Sequence, residues 1–148
     1  MCIRDSLVGA LCVDLLIVYS GNLNYSGGLL GAYTIKVAVG KIAISPLQGI
    51  TSGILCNILV CLAVLMATSA RDIAGKVWAI FFPICAFVVG GFEHCVANMA
   101  TFVTAALLVP GGISLTAALK SMVIVTIGNA IGGGVLLAWP LRMMSADK

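Results

Sequence analysis

The apolar run of residues 77–110 limits the possible folds of this chain more than any other stretch. Apart from two thiols, its ionisable side chains are Glu93 and His94, and two adjacent glycines, Gly90 and Gly91, come just before them. As one straight helix the run would reach roughly 50 Å, against a hydrocarbon core of about 30 Å. Cut at the glycines, each half is about 13 to 16 residues, too short to cross alone. A single span broken near its middle satisfies both limits. A broken span leaves backbone N–H and C=O groups unpaired at membrane depth, which is tolerated only where they line a cavity or are buried in protein. The spacing therefore predicts an all-α chain with a non-helical break between about Gly90 and His94. The only histidine of the chain lies at that break and is the candidate site.

Composition supports the membrane reading. The chain is 61% hydrophobic and 9% charged, whereas soluble domains carry about a quarter charged residues. A net charge of +3, scattered along the sequence, gives no basis for nucleic-acid binding. The six cysteines form no CxxC pair and fall mostly in apolar runs, so they read as reduced, small apolar residues. One histidine, in the order Glu-His rather than HExxH, does not make a zinc site, and no cofactor is expected.

In chain order, residues 1–6 (MCIRDS) read as a non-native vector, adapter or assembly scar. Residues 7–19 follow as an apolar piece too short for a full span, with Asp14 inside it and no role assigned. The chain accordingly reads as a fragment. Residues 20–40, rich in Gly, Asn, Ser and Tyr, are expected to be a loop. A clean span covers 46–67, opening on Pro46, whose missing N–H costs nothing in a first turn. The broken span covers 77–109 and a last span 121–141. The GxxxG pairs at Gly49–Gly53 and Gly128–Gly132 call for close helix approach in a bundle or oligomer. Arg71, Lys76, Arg142 and Lys148 fall on one side, and Lys36, Lys41 and Lys120 on the other. That bias puts the C-terminus in the cytoplasm.

The segments GILCNILVCLAVLMA (53–67), FVVGGFEHCVANM (87–99) and VTIGNAIGGG (125–134) resemble the signature segments of the formate/nitrite transporter family. The resemblance runs from Leu7 to about Leu137. It implies a homopentamer of aquaporin-like protomers in the inner membrane, each with its own pore built from two inverted three-span repeats. On that pattern the chain holds the end of the third span and the whole second repeat. The end of the last span, AWPLRMM with Pro140, departs from the pattern.

By the same resemblance His94 corresponds to the family's central pore histidine, and Phe87 and Val60 to constriction residues. Asn57 corresponds to a pore-lining amide and Lys41 to a lysine that makes the outer vestibule positive. Glu93 and Asn98 match the motif's supporting polar residues, with Gly90 and Gly91 at the break, and Asn129 a supporting amide in the last span. The implied substrates are small monovalent anions, namely formate, nitrite or hydrosulfide, together with protons. A bare anion is very costly in an apolar constriction, whereas the neutral acid crosses at far smaller cost. Lys41 would attract the anion, desolvation would favour its protonation, and His94 could donate the proton or hydrogen-bond the acid. Read without the resemblance, the same residues have plainer uses: His94 and Glu93 as hydrogen bonds between helices, Asn57 as packing, Lys41 as an interfacial lysine, Phe87 and Val60 as core. An aquaporin-like pore for neutral solutes and a non-transporting membrane fragment are the alternative functions.

Overall fold

A computed structural model of the chain describes residues 3–146, and the expectations that involve Met1, Cys2 and Lys148 fall outside them. The described residues form helices joined by short turns, with no strand among them. The helices are α1 (Ile3–Tyr19), α2 (Leu29–Ala43), α3 (Pro46–Ser69), α4 (Ile73–Val89), α5 (Cys95–Leu108), α6 (Leu115–Ala130) and α7 (Trp139–Ala146). A short 3-10 turn occupies Asn22–Asn24, and a π-helical segment, Ile131–Ala138, joins α6 to α7. Two of these stretches, Pro46–Ser69 and Leu115–Ser145, are long and apolar enough to cross a membrane.

The expected loop over 20–40 is corrected by α2, which starts at Leu29. Turn-forming residues are concentrated before that point, where Gly21, Gly27 and Gly28 all take left-handed backbone angles. From Leu29 onward the sequence is mostly apolar and buries Gly31 and Ala38, seven residues apart on one face. Packing of that face outweighs the modest helix propensity of its glycines and β-branched residues. The helix stops at Ala43, and Ile44 turns extended two residues before Pro46 opens α3.

The chain divides into two compact units, and the division falls at the break: α4 and the residues through His94 belong to one, α5 to the other. In the unit containing residues up to Ser45 and Cys95–Val123, α1 and α2 each pack on α5. Its core is Ala38, Phe102, Ala105 and Ala118, with Ile42, Ile113 and Met122 against it. Asp14 is only 3% exposed, and its side chain hydrogen-bonds Thr104 of α5. The carboxyl that had no role in the sequence is thus a helix–helix contact, as intramembrane polar groups commonly are. In the same unit Ser121 Oγ donates to the Lys41 carbonyl at 3.0 Å and ties α6 to the last turn of α2.

In the other unit, α3 packs against α4 and against the π segment. Asp72 caps α4, its side chain accepting from the Gly75 N–H at 2.8 Å. The glycines decide how close α3 and the last helix come. A Cβ on Gly53 would sit 3.0 Å from the Val125 carbonyl oxygen, and one on Gly128 or Gly132 would run into the backbone of Ile50 or Ile54. The small-residue patterns read in the sequence meet one another across this contact.

Candidate functional site

The site is built on the end of α4. Gly91 has φ +65°, and around it the Gly91 N–H donates to Val88 O (3.1 Å) and the Phe92 N–H to Phe87 O (3.1 Å). That pair of bonds is a Schellman ending, in which a glycine in the left-handed conformation satisfies the last carbonyls of a helix. Gly90 is needed for space, because a Cβ there would lie 2.9 Å from Ala86 O and 3.2 Å from the Phe92 ring. Helix α4 is thereby closed cleanly, and Phe92, Glu93 and His94 continue as non-helical chain until α5 starts at Cys95. The break expected between Gly90 and His94 is present, and the two glycines have separate jobs in it.

Neighbouring helices bond the Glu93 backbone on both of its polar groups. Its N–H donates to Ser52 Oγ of α3 at 3.0 Å, and its carbonyl accepts from Asn129 Nδ2 of α6 at 3.0 Å. The same Asn129 amide donates to Gly53 O at 3.0 Å, while Asn57 Nδ2 donates to the Asn129 carbonyl at 2.6 Å. Asn129 and Glu93 are 5% and 6% exposed, so the two bonds of the Asn129 side chain are buried, while those of Ser52 and Asn57 are part-buried. Polar backbone at membrane depth requires this satisfaction. The His94 ring, half-buried, lies 5.8 Å from the Phe87 ring, centroid to centroid, at a tilt of 32°.

Of the residues singled out from sequence, Phe87, Glu93, His94, Asn57, Asn129, Gly90 and Gly91 are gathered in this one unit. Val60 lies one turn beyond Asn57 on α3, half-buried. Lys41 and Asn98 belong to the other unit, Lys41 in the last turn of α2 and Asn98 fully buried on α5. Ser52 was not foreseen. The only signal for it was a hydroxyl next to Gly53 on the small-residue face of α3, a common and unspecific pattern.

A family model described as formate/nitrite transporter matches residues 2–143. The chain belongs to the formate/nitrite transporter family. As a member it is a membrane protein, and the relatives it matches are transporters and channels rather than enzymes. It is 42% identical over 132 residues to the uncharacterized transporter YrhG of Bacillus subtilis (strain 168), a match covering 89% of this chain and 48% of that one. It is 34% identical over 163 residues to the formate channel FocA of Escherichia coli (strain K12), covering 96% and 57%. Among solved structures, a pentameric formate channel with formate bound superposes with a TM-score of 0.85 at 29% identity, covering 95% of this chain and 62% of that one. The chain spans about half the length of the curated relatives it matches. The all-helical fold is therefore that of the family.

Proposed function

We propose that a complete transporter carrying these residues moves a small monovalent anion, formate, nitrite or hydrosulfide, across the cytoplasmic membrane. It works as a homopentamer with the C-terminus in the cytoplasm, and the substrate crosses the narrowest part as its neutral acid. In this reading Lys41 attracts the anion, Phe87 and Val60 form the apolar constriction, and Asn57 lines the path. His94 exchanges a proton or a hydrogen bond with the substrate inside it. Glu93 and Asn129 support the break at Gly90–Gly91, and Asn98 is a supporting polar residue within α5.

The observation that carries the reading is a histidine at a helix break whose backbone is held by hydrogen bonds from α3 and α6. Intramembrane ionisable residues are rare because they are costly, and they mark substrate or proton paths. His94 directly precedes α5, so the partial positive charge of that helix N-terminus lies beside it, which favours an approaching anion. The likeness to the formate channels adds the substrate class.

The test compares parent and His94→Asn in vesicles, measuring formate uptake and current together from about pH 5 to 8, where an imidazole titrates and an amide does not. The variant is expected to assemble, to lose proton-coupled uptake and to pass the bare anion as current. An unchanged uptake profile in the variant would make the histidine structural. Glycerol flux in place of formate flux would point to a neutral-solute pore.

A further inference from the structure

We propose that Ser52 is a positioning residue for His94: its hydroxyl oxygen, acting with the Asn129 amide, sets where the histidine stands at the break. The proposal rests on the transport reading for its consequence in flux, but the clamp itself is a matter of geometry. The Glu93 N–H belongs to the peptide plane that joins Phe92 to Glu93, and the Glu93 carbonyl to the plane that joins Glu93 to His94. Each plane is rigid, so fixing both leaves the chain little freedom at Glu93. Ser52 Oγ holds the first plane at 3.0 Å and Asn129 Nδ2 the second at 3.0 Å. The Cα of His94 is a corner of that second plane. Its place after the end of α4 is thus set by two side chains of other helices, α3 and α6.

Ser52 is unusual for a hydroxyl in an apolar helix. Such side chains commonly turn back on their own helix, as the adjacent Thr51 does, donating to Leu47 O at 2.9 Å and Gln48 O at 3.2 Å. Thr68, Ser69 and Thr101 do the same. Ser52 Oγ instead accepts from a segment 41 residues away in the chain. Its distance from the imidazole in the chain makes it invisible to a motif search. Removing it frees one plane and leaves the other tied, so the expected result is a displaced histidine in a folded protein. A displacement near 1 Å at a reacting group is enough to cost about a hundredfold in rate.

The experiment uses Ser52→Ala and Ser52→Thr in the complete transporter, reconstituted in vesicles. Backbone hydrogen exchange is followed by mass spectrometry in a peptide covering residues 88–98, and formate uptake is measured across about pH 5 to 8. Ser52→Ala is expected to raise exchange at the Glu93 amide about threefold to tenfold, the loss of one hydrogen bond. It is also expected to move the pH midpoint of uptake, and Ser52→Thr, which keeps the hydroxyl, restores both. Unchanged exchange in Ser52→Ala overturns the proposal. So does a variant that is merely less stable, with the parent's exchange in that peptide and the parent's pH profile. If Ser52→Ala does not assemble, Ser52→Cys decides by the same exchange measurement, since sulfur is a weak acceptor of similar size. A parent that takes up neither formate, nitrite nor hydrosulfide would end the transport reading, and the exchange comparison would still decide the clamp.

Discussion

Replacing Asn129 with Ala is the most direct probe of how the break is held. Asn129 is 5% exposed, and its side-chain nitrogen donates at 3.0 Å to both Gly53 O and Glu93 O. Interhelical hydrogen bonds in membrane proteins average about 0.6 kcal/mol and reach about 1.7 kcal/mol. Two of them, lost together from a buried position, give an expected destabilisation of about 1–3 kcal/mol. That is about a 5- to 150-fold change in the unfolding equilibrium. Reversible unfolding in mixed detergent micelles, titrated with a denaturing detergent, reads a shift of this size.

Asn129→Asp sharpens the test. It keeps the shape of the side chain and replaces the donor with an acceptor, so an ionised carboxylate would face two carbonyl oxygens. Near neutral pH this variant is expected to be at least as unstable as Asn129→Ala. Its defect should shrink as pH falls, because the protonated acid regains one O–H donor. An Asn129→Ala protein within about 0.3 kcal/mol of the parent would refute the reasoning, since additive bonds of the size quoted cannot both be present and both be worthless.

Two further outcomes follow from the same geometry. Gly128→Ala drives a Cβ into the backbone of Ile50 and is expected to cost about 1–3 kcal/mol or more by overpacking, measured in the same unfolding titration, whereas Gly134→Ala, with open space around it, should be nearly neutral in contact terms. In a complete transporter Lys41→Ala is expected to lower formate uptake at low ionic strength more than at high, while Lys41→Arg retains most of it; equal loss in both variants would mean that the lysine acts by shape rather than charge.

The break was legible because it is a conflict of lengths: the run is too long for one crossing and each half too short for its own, and the glycines mark the point of relief. Legible too was the meeting of small residues, since Gly53, Gly128 and Gly132 carry their meaning in their spacing. What the sequence hid was the division of labour among the polar residues. Asn57 and Asn129 stand in recognisable segments, yet nothing in their spacing shows that one amide serves the other's carbonyl, or that Asn129 reaches Glu93. The loop expected over 20–40 failed because glycine content was averaged across a boundary. The turn-forming glycines end at Gly28, and those that follow, Gly31 and Gly40, sit inside a helix.

The odd end of the last helix can be understood on the same physical terms. Pro140 has no N–H to donate to Leu136 O, and its ring would press on that carbonyl in a regular helix. The eight residues Ile131–Ala138, which end one residue short of it, wind as a π-helix, and the Trp139 N–H reaches back to Gly134 O, five residues away. Local π winding is one of the adjustments by which membrane helices accommodate proline. Here it falls beside the glycines that let α3 approach. Gly132 and Gly133 are buried against Ile54 and against Asn57 and Cys61. Close approach in turn lets short side chains act across the gap, so that Ser52 and Asn129, with only one or two carbons each, can reach the Glu93 peptide. The order of cause runs from glycine to helix distance, from distance to the two hydrogen bonds, and from those bonds to the place of His94. A bulkier residue at Gly128 or Gly132 should therefore disturb the histidine without touching it, through the Ser52 bond first.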